Sequence, residues 1–131
     1  MNNNDREKIE EIGKTIVHSA VKVHRSLGPG LLEGAYQACY AFEMRAAGLD
    51  VRTEVKLPVS YRGFRVDVGY RIDMLINECV VVENKAVDRL LPIHTSQVLT
   101  YLELGGFNLG YLLNWNVRLI KQGIHRFVFR L

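Results

Sequence analysis

The chain is short of several things, and each shortage narrows what it can be. No apolar run approaches the roughly 20 residues of a bilayer-spanning helix. The polar start MNNNDREKIEE has no apolar stretch of the kind a secretory signal needs. Both features predict a cytoplasmic protein with no membrane partner. Cysteine is limited to Cys39 and Cys79, each among apolar residues and without metal-ligand spacing. They read as reduced core thiols, not as a disulfide or a zinc site. His18, His24, His94 and His125 lack zinc-like spacing too, and read as surface or packing residues. Ser19, Ser26, Ser60 and Ser96 lack the setting of a nucleophile elbow. The one GPG turn is too short and proline-stiffened to cradle phosphates. Carboxylates end at Glu103, so Arg118, Lys121, Arg126 and Arg130 have no acidic residue to offset them. On charge alone this is first a solvated basic edge and second a phosphate-binding surface. A net charge of +3 permits a polyanionic partner without requiring one.

What is present fits one α/β domain spanning 1–131, long enough to bury a core without staples. Ile9, Ile12, Ile16, Ala20, Val23 and Leu27 recur every three or four residues, predicting an amphipathic helix that stops at LGPG. A second helix is expected over 31–47, with Leu32, Ala35, Tyr36, Cys39, Phe42 and Ala46 inward and Gly48 closing it. The period then becomes two. Residues 51–61 and 64–76 alternate apolar with polar around Arg62-Gly63 and predict one long hairpin. Strands at 79–85 and 108–114 flank a helix over 95–104, and the tail around Gly123 predicts a hairpin. The order ααβββαββ suits a mixed β-sheet sandwiched by helices.

Strand parity locates the chemistry. If Tyr61 opposes Phe64, one face of the hairpin collects Arg52, Glu54 and Lys56 with Asp67, Arg71 and Asp73. A three-residue loop, Asn77-Glu78-Cys79, would put Glu83 and Lys85 beside Asp73. The same register groups Met74, Ile76, Val80 and Val82 on the apolar face, so core burial and site assembly demand one pairing. An Asp, a Glu and a Lys at a strand end suit metal-assisted phosphodiester chemistry. Mg²⁺ takes one or two carboxylates together with water and phosphate oxygens, and a lysine can orient the water or offset charge. A surface ion-pair cluster is the plainer account of the same pattern. Glu33, in the first turn of the second helix, either completes the metal shell or complements the helix dipole. For it to reach the strand ends, that helix would pack on the polar face with Tyr36, Cys39 and Phe42 against it. Gln97 and Tyr101, four apart, share a helix face at an amphipathic boundary.

GLLEGAY at 30–36 fits Gly-x-x-Glu-x-x-Tyr. With VHRSLGPG, YRID, VVVENKAVDRLLPIHTSQVLTYL and LGYLLNW, it closely resembles the bacterial GxxExxY proteins of the PD-(D/E)xK nuclease superfamily, from about residue 12 to 127. The resemblance implies a restriction-endonuclease-like αβββαβ core with an extra N-terminal helix and a C-terminal β-hairpin. It implies catalytic roles for Asp73, Glu83, Lys85 and Gln97, and a Mg²⁺ or Mn²⁺ ion on Asp73, Glu83 and Glu33. Tyr101, Arg71 and Tyr36 are implied as weaker substrate contacts, with Gln97 and Tyr101 resembling the Gln-x-x-x-Tyr pair of RecB-like nucleases. Ile72 stands where the motif's leading proline would be. Asn84 replaces a usual leucine and is expected to loosen strand packing. The expected function is hydrolysis of DNA or RNA. The alternatives are a nucleic-acid-binding module with little turnover and a protein-interaction adaptor. A domain this small is expected to select substrate with a partner or as a homodimer.

Overall fold

The computed structural model describes residues 2–131. Helix α1, Asn3–Leu27, starts where the Asn2 side chain accepts the Asp5 amide at 2.8 Å, satisfying an otherwise unpaired N–H of the first turn. It ends at Gly28, whose φ of 65° suits a residue without Cβ. Helix α2, Glu33–Ala46, follows the LGPG turn. The Tyr36 hydroxyl fastens that turn. It donates to the Gly28 carbonyl at 2.5 Å and accepts the Leu31 amide at 3.1 Å.

The strands are β1 (Val51–Lys56), β2 (Val59–Tyr61), β3 (Phe64–Val66), β4 (Arg71–Ile76), β5 (Val80–Lys85), β6 (Leu109–Asn114) and β7 (Ile124–Val128). Helix α3, Pro92–Gly105, crosses from β5 to β6 and makes that pair parallel. The main sheet has the order β1-β4-β5-β6-β7, mixed in direction, and β2 with β3 forms a separate two-stranded sheet. Helices α1 and α2 cover one face, where Ile16, Val23, Tyr40 and Met44 meet Met74, Ile76, Val80 and Val82. Helix α3 covers the other, where Val98, Tyr101 and Leu102 meet Leu75, Val81 and Leu112. Strand β5, buried on both faces, therefore needs the unbroken Val80-Val81-Val82 run. The expected sandwich of a mixed sheet between helices is the observed fold.

The β4–β5 turn also follows the expected register. Ile76 pairs with Val80 across the three residues 77–79, and Met74 pairs with Val82. Other expectations are corrected. The long hairpin is divided. Pro58 has no N–H to continue the ladder, and Leu57 closes the β1–β4 pairing by donating to the Tyr70 carbonyl at 2.9 Å. Residues 59–66 leave the main sheet as an arm, though Tyr61 does oppose Phe64. Helix α2 lies on the face opposite α3, and buries Tyr36, Tyr40, Ala41 and Met44. Cys39 is exposed and Phe42 is 70% exposed, so the helix is rotated by about one position from the expected stripe. The tail contributes one strand, β7, which pairs antiparallel with β6. Residues 120–122 form a 3-10 turn in that hairpin's connection.

Asn84 does not loosen the sheet. It is fully buried, and its side chain is saturated. Oδ1 accepts Trp115 Nε1 at 3.0 Å, while Nδ2 donates to Gln37 Oε1 at 3.2 Å and faces Met74 Sδ at 3.1 Å. Trp115 in turn stacks on Tyr36, 5.1 Å between centroids at 9°, and meets Tyr40 edge-on. Asn84→Leu would strand the buried indole N–H, and should cost about 1–3 kcal/mol. Adding Trp115→Phe to that variant removes the stranded donor and should cost less than the two single losses summed. Urea denaturation of the four proteins of this cycle checks it, and strict additivity would contradict it.

Candidate active site

Beyond the Met74–Val82 pair, β4 and β5 stop exchanging backbone bonds. The next residues, Asp73 and Glu83, substitute carboxylates for carbonyls. Glu83 Oε1 accepts the Asp73 amide at 2.8 Å, and Asp73 Oδ2 accepts the Asn84 amide at 2.9 Å. The strands are thus cross-linked by two acids at the point where they part. Facing alternation also changes there. Met74 packs toward α1 and α2, whereas Ile72 packs toward α3, as does its β1 partner Val55. Between Thr53 and Val55 stands Glu54, with a φ of 53°. A left-handed residue in one strand and a carboxylate-bridged residue in its neighbour mark the same twist in the ladder.

Two acids this close, and this buried, cannot both ionise cheaply. Glu83 is 2% exposed, and burial, then the charge of Asp73, pushes its carboxyl up to about 9. Burial also raises Asp73, while its bonds to the Asn84 amide and to Glu83 and the nearby Lys85 ammonium pull it back. Burial and mutual repulsion therefore favour one proton held by the pair. A hard divalent cation offers what that proton supplies, a positive charge between two oxygen ligands, so the donor set fits Mg²⁺ or Mn²⁺. Among the described residues, no three His, Cys, Asp or Glu side chains gather at metal-ligand spacing.

The remaining predicted residues are distributed around this pair. Lys85, half-buried at the end of β5, lines a cleft of about 650 Å³ with Gln97, Tyr101, His94 and Tyr70. Gln97 Nε2 donates to the Tyr101 hydroxyl at 3.0 Å. Burial, then the charge of Glu83, raises the Tyr101 phenol, so this ring stands within the electrostatic reach of the acids. Glu33 is exposed at the start of α2. Burial raises its carboxyl, Lys85 lowers it, and Asp73 and Glu54 raise it, so it senses the centre without joining the bridged pair. It does so although α2 lies on the face opposite α3, because the first turns of the helix run beside β1 and β4, where Gln37 donates to Glu54 and to the Asp73 carbonyl. Arg71 is exposed at the beginning of β4, opposite Lys56. Tyr36 is not brought to the site. It is fully buried, with its hydroxyl engaged by the LGPG turn, and cannot touch a substrate.

Sequence reasoning missed Gln37. Its amide donates to Glu54 Oε1 at 3.0 Å and to the Asp73 carbonyl at 3.5 Å, and its oxygen accepts from Asn84. Gln37 lies one helical turn after Glu33, and that spacing was the available signal.

A sequence profile described as the PD-(D/E)XK nuclease superfamily matches residues 10–127. The chain belongs to the PD-(D/E)XK nuclease superfamily. No curated protein and no solved structure matches it. The mixed sheet flanked by helices agrees with the restriction-endonuclease-like fold of that superfamily, and the superfamily points to nuclease activity, divalent metal use and a nucleic-acid substrate. Among the described residues, no helix is long and apolar enough to cross a membrane.

The shared proton sets a pH dependence. The Glu83 pKa in the folded, metal-free protein lies above its ordinary 4.5. Its protonated form therefore stabilises the fold fully below about pH 4.5, and that contribution drains away as pH rises through about 9. Glu83→Gln fixes the neutral form and keeps an oxygen for the Asp73 amide. In EDTA it should be the more stable protein at pH 8, by roughly 2 kcal/mol, with the difference shrinking toward pH 5. Thermal denaturation across that range tests this, and a gap independent of pH would contradict it.

Proposed function

We propose that this chain is a divalent-metal-dependent nuclease that hydrolyses phosphodiester bonds of DNA or RNA, with Asp73, Glu83 and Lys85 as the residues after which the superfamily is named. The observation that carries the reading is the pairing of half-buried Asp73 with buried Glu83, each bridged to an amide of the opposite strand, with Lys85 two residues after Glu83 in β5. The Gly-x-x-Glu-x-x-Tyr pattern of Gly30–Tyr36 supports reading it as one of the bacterial GxxExxY proteins.

Asp73 and Glu83 would hold Mg²⁺ or Mn²⁺ and Glu33 would add negative charge at its outer side. When bound, such a cation lowers the pKa of a coordinated water and offsets charge on phosphoryl oxygens. Lys85 holds the attacking water in line with phosphorus, and its ammonium compensates charge growing on the non-bridging oxygens. Tyr101 accepts from Gln97, which leaves its own proton for a phosphate oxygen. Arg71, at the open end of β4, meets a backbone phosphate. A second copy of the chain is a source of further substrate contacts.

A second reading, a binding module with little turnover, draws on the convergence of only two acids in the bridged pair. Purified protein incubated with labelled single- and double-stranded DNA and RNA, in Mg²⁺, Mn²⁺ or EDTA, separates the two. Cleavage should require metal and fall by about 10²–10³-fold in Asp73→Asn and in Lys85→Met. No cleavage of any substrate by the wild type, or undiminished cleavage by Asp73→Asn, sinks the nuclease reading. Glu33→Gln should reduce cleavage by about tenfold if its charge supports the metal. If Glu33 serves only the helix dipole, cleavage stays unchanged and stability falls by a few tenths to about 1 kcal/mol.

A further inference from the structure

The arm formed by β2 and β3 belongs to neither face of the main sheet, and its surface chemistry is unusual for a free hairpin. Tyr61 and Phe64, directly opposed, are 64% and 68% exposed, and Tyr70 at the arm's return is 49% exposed. Large aromatic side chains left in water at one place mark an interaction surface. Opposed residues, and residues two apart, share a face of a two-stranded sheet. Tyr61, Phe64, Val59 and Val66 therefore form one face of the arm. Val59 and Tyr70 line the same 650 Å³ cleft as Lys85, Gln97 and Tyr101, so the aromatic face continues the wall of the candidate active site.

The charges around these rings have one dominant sign. Between residues 56 and 71, Lys56, Arg62, Arg65 and Arg71 face a single carboxylate, Asp67. Asp67 pairs with Arg65 at 3.2 Å, but both side chains are 70% exposed, so the pair is weak and Arg65 is available to a stronger anion. Lys56, Arg65 and Arg71 line a second pocket, of about 360 Å³, and Tyr70 lies on the border of both. The two pockets thus connect Lys85 through Tyr70 to Arg71, and the Tyr61–Phe64 pair stands on the arm face that Val59 shares with the cleft.

We infer that the β2–β3 arm is a single-strand nucleic-acid platform that feeds the candidate active site. This rests on the nuclease reading for the role of the cleft and deepens it by naming the substrate class. Exposed rings offer π-faces on which successive unpaired bases stack, and interspersed arginines and lysines track the phosphates between them. A duplex cannot use this surface in the same way, because its bases already stack on each other and show only their edges. The cationic surround also disfavours a second cationic copy of this chain as the occupant, since like charges would face each other.

The experiment is fluorescence anisotropy on the full chain in EDTA, with a labelled oligothymidylate of roughly 12 nucleotides and a duplex of the same length. The wild type should bind the single strand at least about tenfold more tightly than the duplex. Tyr61→Ala/Phe64→Ala should lose about tenfold or more in single-strand affinity and little in duplex affinity. Tyr61→Trp/Phe64→Trp, which keeps two stacking faces, should retain single-strand affinity. Arg71→Gln should reduce the slope of log affinity against log salt by about 0.7, the value of one single-strand phosphate contact. Far-UV circular dichroism verifies that each variant is folded. Equal single-strand affinity in wild type and the alanine variant overturns the inference. A dimer that dissociates in the alanine variant, with oligonucleotide affinity unchanged, also overturns it and assigns the rings to a second copy. The binding assay contains no metal and reads no cleavage, so an inactive wild type would overturn the nuclease reading while leaving the arm's result standing.

Discussion

Two hydrogen bonds between β4 and β5, each from a backbone amide to a carboxylate, govern the rest of this molecule. In an ordinary antiparallel ladder those amides would donate to carbonyls, and the side chains would be free to point away. Here Asp73 and Glu83 occupy the acceptor positions themselves. Each acid is thereby fixed in place by the strand opposite it, and the two are held close enough that ionising both is disfavoured. The strands must part to accommodate this. That parting opens the end of the sheet, where Lys85 and the Tyr101–Gln97 pair reach the same cleft.

Such a crowded acidic pair is costly, and the buried network beneath it supplies compensation. Asn84 lies between Glu83 and Lys85 in sequence but points into the opposite layer, where it ties Trp115 to Gln37. Trp115 gathers α1 and α2. Its carbonyl is 3.2 Å from His24 Nε2, its ring stacks on Tyr36, and it meets Tyr40, whose hydroxyl donates to Ile16 O at 2.7 Å. Gln37 then returns to the site through the Asp73 carbonyl and Glu54. Because every buried polar side-chain atom among the described residues has a partner, the network rigidifies the strand that carries two of the site residues.

Position in the fold also separates the electrostatic roles. Glu83 is buried and Asp73 half-buried where the sheet splits, while Arg62 and Arg65 are carried outward on the arm and Lys56 and Arg71 stand at its base in β1 and β4. A metal and a polyanion need these opposite environments. The first needs concentrated oxygen ligands, and the second needs accessible positive charge spread along a path. Pro58 permits both at once, because the ladder cannot continue past it in the main sheet, and the chain leaves as a separate hairpin.

Periodicity and turn residues alone determined the three long helices and the pairing across 77–79, but neither the division of the long hairpin into main-sheet strands and an arm nor the single strand of the tail. A one-residue slip there would have moved Met74 and Val82 out of the core, so the apolar pattern left only one register, and that register brought Asp73 to Glu83. Other features were beyond the reach of local pattern. The apolar residues of α2 surround it too evenly to reveal which stripe packs, and contact with α1 and Trp115 chose Tyr36, Tyr40 and Met44 over Cys39 and Phe42. That choice kept Tyr36 in the core, as the periodicity expected, and aimed Gln37 at Asp73. Asn84 read as a flaw because its three partners come from residues 37, 74 and 115, far apart in the chain. The proton shared by the acids was likewise undetermined by sequence. Residue type sets an ordinary pKa, but only burial and the distance between two carboxylates, both products of tertiary packing, can move it.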